Sequence, residues 1–317
     1  MVMPAANPST SPSTQPSTPP SNLPPVTHRG SALAVLELLK PITWFPPMWA
    51  FLCGAVSAGQ AFTGHGVAVF FGVLLAGPLV CATSQAVNDW YDREVDAINE
   101  PQRPIPSGRI PGKWGLYIGL IWTMLSVIVA GALGPVVLAA ASIGLLLAWA
   151  YSAPPVRLKL NGWWGNAAVG LCYEGLPWIT GAAILSVSGI PDSRIFAVAL
   201  LYSIGAHGIM VLNDFKAIEG DRQLGVRSLP VQLGAARAAR VACLFMAGAQ
   251  AAVVVLLLTW QRPLFALAIA VLIGIQALLM RRLLSAPREL APWYNATGVS
   301  LYVLGMMVTA IALRYPL

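Results

Sequence analysis

Two short stretches hold most of the acid in this chain. Of twelve Asp and Glu residues, eight lie in NDWYDREVDAINEPQRPIPSGRI (88–110) and NDFKAIEGDRQLGVRSLPV (213–231). In the first, Asn88, Asp92 and Asp96 recur every fourth residue. On a helix they form one row, about 6 Å apart along the axis. Three oxygen-bearing side chains in a row suit a hard cation. Mg²⁺ takes a few carboxylates and fills its octahedron with water and phosphate oxygens. In the second stretch, Asp214, Glu219 and Asp221 supply another cluster, with Lys216, Arg222 and Arg227 among them. Two acidic clusters with interspersed bases fit a diphosphate held through Mg²⁺. The metal offsets the diphosphate charge and makes it a leaving group, while Lys and Arg take the remaining oxygens. A Ca²⁺ site is the competing ligand, but the Gly-centred twelve-residue loop is missing. A merely solvated helix end would mix its charges in pairs and would not recur at a second helix end.

The elements that carry these residues are apolar. The chain is 57% hydrophobic and 10% charged, against about 25% charged in a soluble domain, so lipid must cover it. Nine apolar stretches have the length of a bilayer span, about 20 residues. They lie at roughly 41–59, 66–88, 114–133, 135–152, 164–188, 194–213, 236–259, 263–283 and 293–313. Pro46 and Pro47 break the first and Pro177 kinks the fifth, which neighbouring helices make tolerable. With the N-terminus in the cytoplasm, sixteen of nineteen Lys and Arg fall on the cytoplasmic side. Only Arg194, Arg262 and Arg314 fall opposite. That bias predicts an odd number of spans, with the N-terminus cytoplasmic and the C-terminus on the far side. The net charge of +7 is then topological and does not point to nucleic acid. Both acidic segments fall on the cytoplasmic side. Their shared openings, Asn88-Asp89-Trp90 and Asn213-Asp214-Phe215, hint at an internal duplication.

Residues 1–30 are rich in Pro, Ser and Thr, lack the apolar core of a signal peptide, and are expected to form a disordered tail before a membrane domain at 31–317. Cys53, Cys81, Cys172 and Cys243 lie singly in apolar stretches and read as small buried hydrophobes. GAVSAG (54–59) and GVLLAG (72–77) place small residues at helix contacts. Two polar residues fall mid-span. Glu174 is either protonated and bonded to a neighbouring helix or in contact with a substrate. His207 is either a satisfied interhelical histidine or a ligand to a metal-bearing macrocycle. The eleven Trp either line a flat cavity or form the interfacial belt.

The first acidic segment resembles the NDxxDxxxD motif of the intramembrane, UbiA-type prenyltransferase superfamily. NDWYDREVDAINEPQRPIPSGRIPGKWGLY (88–117), AYSAPPVRLK (150–159), GWWGNAAVGLCYEGLPW (162–178), NDFKAIEGDRQLGVRSLPV and PWYNATGVSLYVLGMM (292–307) are similar to its chlorophyll and bacteriochlorophyll synthase branch, and WYD, GRIPGKWGLY and CYEGLPW to the bacteriochlorophyll side of it. The resemblance covers about 40–317. It implies an all-α integral membrane fold with nine transmembrane helices around a central cavity. It also implies Mg²⁺-dependent esterification of the propionate of a bacteriochlorophyllide, or chlorophyllide, with geranylgeranyl or phytyl diphosphate in the inner (cytoplasmic or intracytoplasmic) membrane of a phototrophic bacterium. Asn88, Asp92 and Asp96 take the first-motif positions and Asp221 the last acid of the second. Ala217 stands where the superfamily often has an Asp, which leaves open whether Asp214 or Glu219 substitutes.

On this reading Asp92, Asp96 and Asp221 bridge to the diphosphate through Mg²⁺. Arg93, Arg157, Lys159, Lys216 and Arg222 are candidates for diphosphate or propionate oxygens, each with topology or headgroup contact as the alternative. Glu174 and His207 are candidate pigment contacts. A quinone or haem-precursor acceptor is the alternative within the class. A transporter or pigment-binding protein is the alternative outside it, disfavoured because the acids sit at one membrane face and not at the midplane. Partners in pigment assembly are left open.

Overall fold

The computed structural model describes residues 32–315; the Pro/Ser-rich stretch lies outside the described residues. The fold is all-helical. In chain order the elements are α1 (Ala32–Leu39), α2 (Phe45–Ser57), α3 (Gly66–Asn99), α4 (Trp114–Leu133), α5 (Pro135–Ser152), α6 (Gly162–Leu185), α7 (Ser193–Gln223), α8 (Leu229–Leu233), α9 (Ala235–Thr259), α10 (Pro263–Ser285) and α11 (Pro287–Arg314). Among the described residues, eight helices, α3 to α7 and α9 to α11, are long and apolar enough to cross a membrane.

The ninth expected span is shorter than its apolar stretch. Residues 41–43 form a 3₁₀ turn, and α2 is a 13-residue apolar helix. At 1.5 Å per residue it covers about 20 Å of a roughly 30 Å hydrocarbon core. Pro46 and Pro47 start this helix and do not break it. In the first turn the missing N–H groups have no helical partner to lose. Close packing compensates for the length. A Cβ on Gly54 would lie 1.9 Å from the Trp178 carbonyl, and one on Gly181 2.0 Å from that of Phe51. The small residues let α2 and the second half of α6 touch backbone to backbone.

Pro78 and Pro177 are absorbed by wide turns. Leu75–Cys81 and Leu171–Gly175 are π-helical, a local re-pairing that accommodates the missing proline N–H. Trp122 Nε1 donates to the Pro78 carbonyl at 3.0 Å. The turn in α6 brings Cys172 and Tyr173 onto the wall of an internal cavity.

Chemistry-bearing side chains gather where helices end. α3 stops at Glu100 (φ −140°) because Pro101 disfavours helix in the residue before it. Likewise Ala153 turns extended ahead of Pro154. α7 tightens into a 3₁₀ turn at Asp214–Ala217. The loops after α5 and α7 are stitched together: Arg227 N donates to Leu160 O at 2.9 Å and Gly162 N to Arg227 O at 2.8 Å. The largest core cluster includes Trp178, Tyr202, Met246 and Tyr302. Met124, Leu146, Leu264 and Leu278 lie exposed on the outside, as a lipid-facing surface requires.

Candidate active site

The ends of α3 and α7 and the loops after α5 and α7 enclose a polar cavity of about 1090 Å³. Asn88, Asp92, Asp96, Asp214 and Asp221 line it, so the two acidic segments share one chamber. Arg157, Lys159 and Lys216 line it as well. A second cavity of about 400 Å³ continues inward and shares Gln85, Asn88, Tyr151, Met210 and Asn213 with the first. Its other walls are mostly apolar, including Pro46, Leu147, Ala148, Val169 and Cys172. Beyond Cys172 lies a narrow pocket among Val80, Gly144, Leu176 and Pro177. A polar mouth therefore opens into an apolar channel.

The row at i, i+4, i+8 behaves as its spacing requires. Asn88 Nδ2 donates to Asp92 Oδ2 at 3.0 Å and to Ser152 Oγ at 3.2 Å. Lys159 forms an ion pair with Asp92. Burial pushes the Lys159 ammonium below the ordinary lysine range, and the Asp92 carboxylate opposes that shift. Asp96 Oδ2 accepts from Arg103 Nη1 at 2.8 Å. Across the cavity, Asp214 Oδ2 accepts from Asn166 Nδ2 at 3.1 Å. Asn213 Oδ1 accepts from Asn295 Nδ2 at 2.8 Å.

The donor set fits a hard cation. Five oxygen-bearing side chains from two helix ends line one wall system. Among the described residues no three carboxylate, imidazole or thiol groups converge into a metal cage. Mg²⁺ needs no such cage, since one or two carboxylates suffice when phosphate and water complete its shell. The chamber also suits an anion. Arg157 Nε is buried with no hydrogen-bond partner among the described residues, and Arg157 lines the cavity. An unpaired buried donor is costly enough to point to a missing acceptor.

Five candidates from the sequence are not among the residues lining these cavities. Arg93 lies over the Trp90 ring, 4.4 Å from its centroid, and bonds Trp90 O and Glu94. Glu219 and Arg222 pair with each other at 3.0 Å on the exposed side of the α7 extension, and Arg288 approaches Glu219 at 3.7 Å. The reason is helical geometry: Glu219 and Asp221 are two residues apart and face opposite ways. Glu174 is buried within the π turn, its Oε2 unpartnered. His207 is stacked on Phe245 (4.6 Å between centroids) and beside Trp163, with Nε2 buried and unpartnered. Both lie behind the cavity wall.

Other residues come to the site without a motif to announce them. Tyr151 lines both main cavities and lies within electrostatic reach of Asp92, Asp214 and Asp221. Asn166 and Arg103 reach the acids from other elements. Tyr151 lies in the family-like stretch AYSAPPVRLK (150–159), at the end of an apolar span just before Pro154-Pro155, but that pattern gives it no role.

Comparison with known proteins agrees with this architecture. The model of the UbiA prenyltransferase family matches residues 43–310. The chain is 60% identical over 281 residues to the bacteriochlorophyll synthase 33 kDa chain of Cereibacter sphaeroides, covering 89% of this chain and 93% of that protein. It is 40% identical over 287 residues to the chloroplastic chlorophyll synthase of Oryza sativa subsp. japonica, covering 87% and 76%. It superimposes on a UbiA homolog from Archaeoglobus fulgidus, solved bound to GPP and Mg²⁺, with a TM-score of 0.66 and 19% identity, covering 86% and 99%. The helical fold, the two facing acidic helix ends and these matches together place the chain in the UbiA prenyltransferase family.

Proposed function

We propose that the chain esterifies the propionate of bacteriochlorophyllide a with geranylgeranyl or phytyl diphosphate and releases diphosphate. The observation that carries this reading is the polar chamber with facing acids and the orphaned Arg157 donor, opening directly into an apolar channel. The 60% identity to a bacteriochlorophyll synthase chain, against 40% to a chlorophyll synthase, supports the choice of pigment.

Asn88, Asp92, Asp96, Asp214 and Asp221 would hold Mg²⁺, with Glu219 turned away. When bound, Mg²⁺ offsets diphosphate charge and improves it as a leaving group. Arg157, Lys159 and Lys216 contact the diphosphate oxygens. The channel from Pro46 to Val169 takes the prenyl tail and keeps water from the reacting carbon. The C1–O bond breaks with its electron pair leaving on the diphosphate, and a propionate oxygen forms the new bond to C1. A propionate titrates near 4.3, as Glu does, and arrives ionised, so the site needs no general base. Catalysis is positioning and leaving-group activation. The concentration of Lys and Arg beside the acidic ends supports a cytoplasmic mouth.

The test supplies purified protein with geranylgeranyl diphosphate, Mg²⁺ and either bacteriochlorophyllide a or chlorophyllide a, and follows esterified pigment by chromatography. Ester from bacteriochlorophyllide, lost with EDTA and restored by Mg²⁺, is expected. Ester from chlorophyllide alone reassigns the pigment. No ester from folded protein overturns the reading.

A further inference from the structure

Asp89 belongs to the first acidic segment but does not line the cavity. It is 2% exposed and lies beneath the row of motif residues. Its Oδ1 accepts from Lys40 Nζ at 2.6 Å and from Arg103 Nη1 at 3.4 Å. Its Oδ2 is buried with no partner among the described residues. The same Arg103 Nη1 donates to Asp96 Oδ2 at 2.8 Å, and Arg103 also pairs with Glu100. One guanidinium thus stands between a carboxylate that faces the cavity and a carboxylate behind it. Asp96 Oδ1 is open to a cation while Arg103 holds Oδ2, but a cation and a guanidinium on the same carboxylate repel each other. Loading the metal therefore weakens the hold of Arg103 on Asp96. The open oxygen of Asp89 is an acceptor already in place on the other side.

We propose that Asp89 is a positioning residue that draws Arg103 off Asp96 as the metal and diphosphate load, freeing Asp96 as a ligand and keeping the guanidinium at the cavity wall. Lys40 opposes this, because it occupies Oδ1 and offsets part of the Asp89 charge. The inference rests on the metal-diphosphate reading of the cavity. It gives a buried acid that the reaction itself does not touch a defined effect on metal affinity, of a sign that depends on which partner is removed.

The test is direct Mn²⁺ binding by electron paramagnetic resonance in the presence of geranylgeranyl diphosphate, with no pigment, so that turnover is not the readout. Asp89→Asn should weaken Mn²⁺ binding roughly tenfold, the scale of outer-shell losses. Lys40→Gln, at a part-exposed position, should tighten binding. Arg103→Gln should not weaken it, and the double variant Asp89→Asn with Arg103→Gln should bind as Arg103→Gln alone. Unchanged binding in Asp89→Asn overturns the proposal. So does a loss in Lys40→Gln matching that of Asp89→Asn, or a loss in the double variant, since either shows general structural support. Should Asp89→Asn fail to fold, Lys40→Gln decides: tighter binding supports the proposal, and equal or weaker binding overturns it. Failure of the wild type to bind Mn²⁺ overturns both this inference and the metal reading. Wild-type binding with esterification, but no effect of these variants, overturns this inference alone.

Discussion

At the residue scale, charge type says little until direction is known. Asp92 and Glu219 are both acids of the two motifs. Asp92 lines the chamber between Asn88 and Lys159, whereas Glu219 is exposed and held by Arg222 and Arg288. Asp92→Ala is expected to lower the rate of esterification on the order of 100-fold or more, as loss of an electrostatic stabiliser does, with the thermal unfolding midpoint nearly unchanged. Glu219→Gln is expected to stay within about twofold of wild type, because exposed ion pairs are worth about 0–1 kcal/mol. Pigment-ester assays on both purified variants check the pair. The spacing of Asn88, Asp92 and Asp96 was legible because a helix converts i+4 into one face. The outward turn of Glu219 was not, since the sequence left Asp214 and Glu219 as alternatives and only the packed helix end sets which of them faces the chamber. The double engagement of Arg103 was not legible either, because Asp89 and Asp96 share it only through a loop that folds back after Pro101.

At the element scale, proline and glycine do the shaping. Pro78 and Pro177 coincide with wide turns, and Pro46 with Pro47 begins α2. The short α2 holds its place through Gly54 and Gly181, where any Cβ meets the facing backbone. Gly54→Ala should therefore destabilise the protein by about 1–3 kcal/mol, the range for overpacking, or more because carbonyls yield less than side chains. A lowered unfolding midpoint in detergent, with unaltered product chemistry at low temperature, is the expected result. The runs GAVSAG and GVLLAG announced helix contacts in the sequence, and Gly54, Gly72 and Gly77 all meet α6 or α2 neighbours at close range. Which helix each would meet depended on tertiary packing: Gly54 meets Trp178, Gly72 meets Phe51 and Ile184, and Gly77 meets Met48.

At the scale of the whole molecule, the cavities form one path from polar mouth to apolar end. The last pocket narrows between Val80 and Leu176, where Gly144 leaves room. Gly144→Phe is expected to raise the KM for geranylgeranyl diphosphate roughly tenfold relative to geranyl diphosphate, the size of effect a few misplaced methylenes produce in an apolar site. Competition between the two diphosphates for one pigment measures this ratio. An unchanged ratio would place the chain end elsewhere.

The sequence by itself determined the membrane-spanning helical class, the facing acidic helix ends and the family pattern. These depend on composition and on spacings of four residues, which local geometry converts into faces. Only the tertiary structure decided which charges enter the chamber. Arg93 folds onto Trp90, His207 and Glu174 stay behind the wall, and Tyr151, Asn166 and Arg103 arrive from other elements. Side-chain direction at helix ends is set by the packing of neighbours distant in sequence, and a one-dimensional pattern does not carry it.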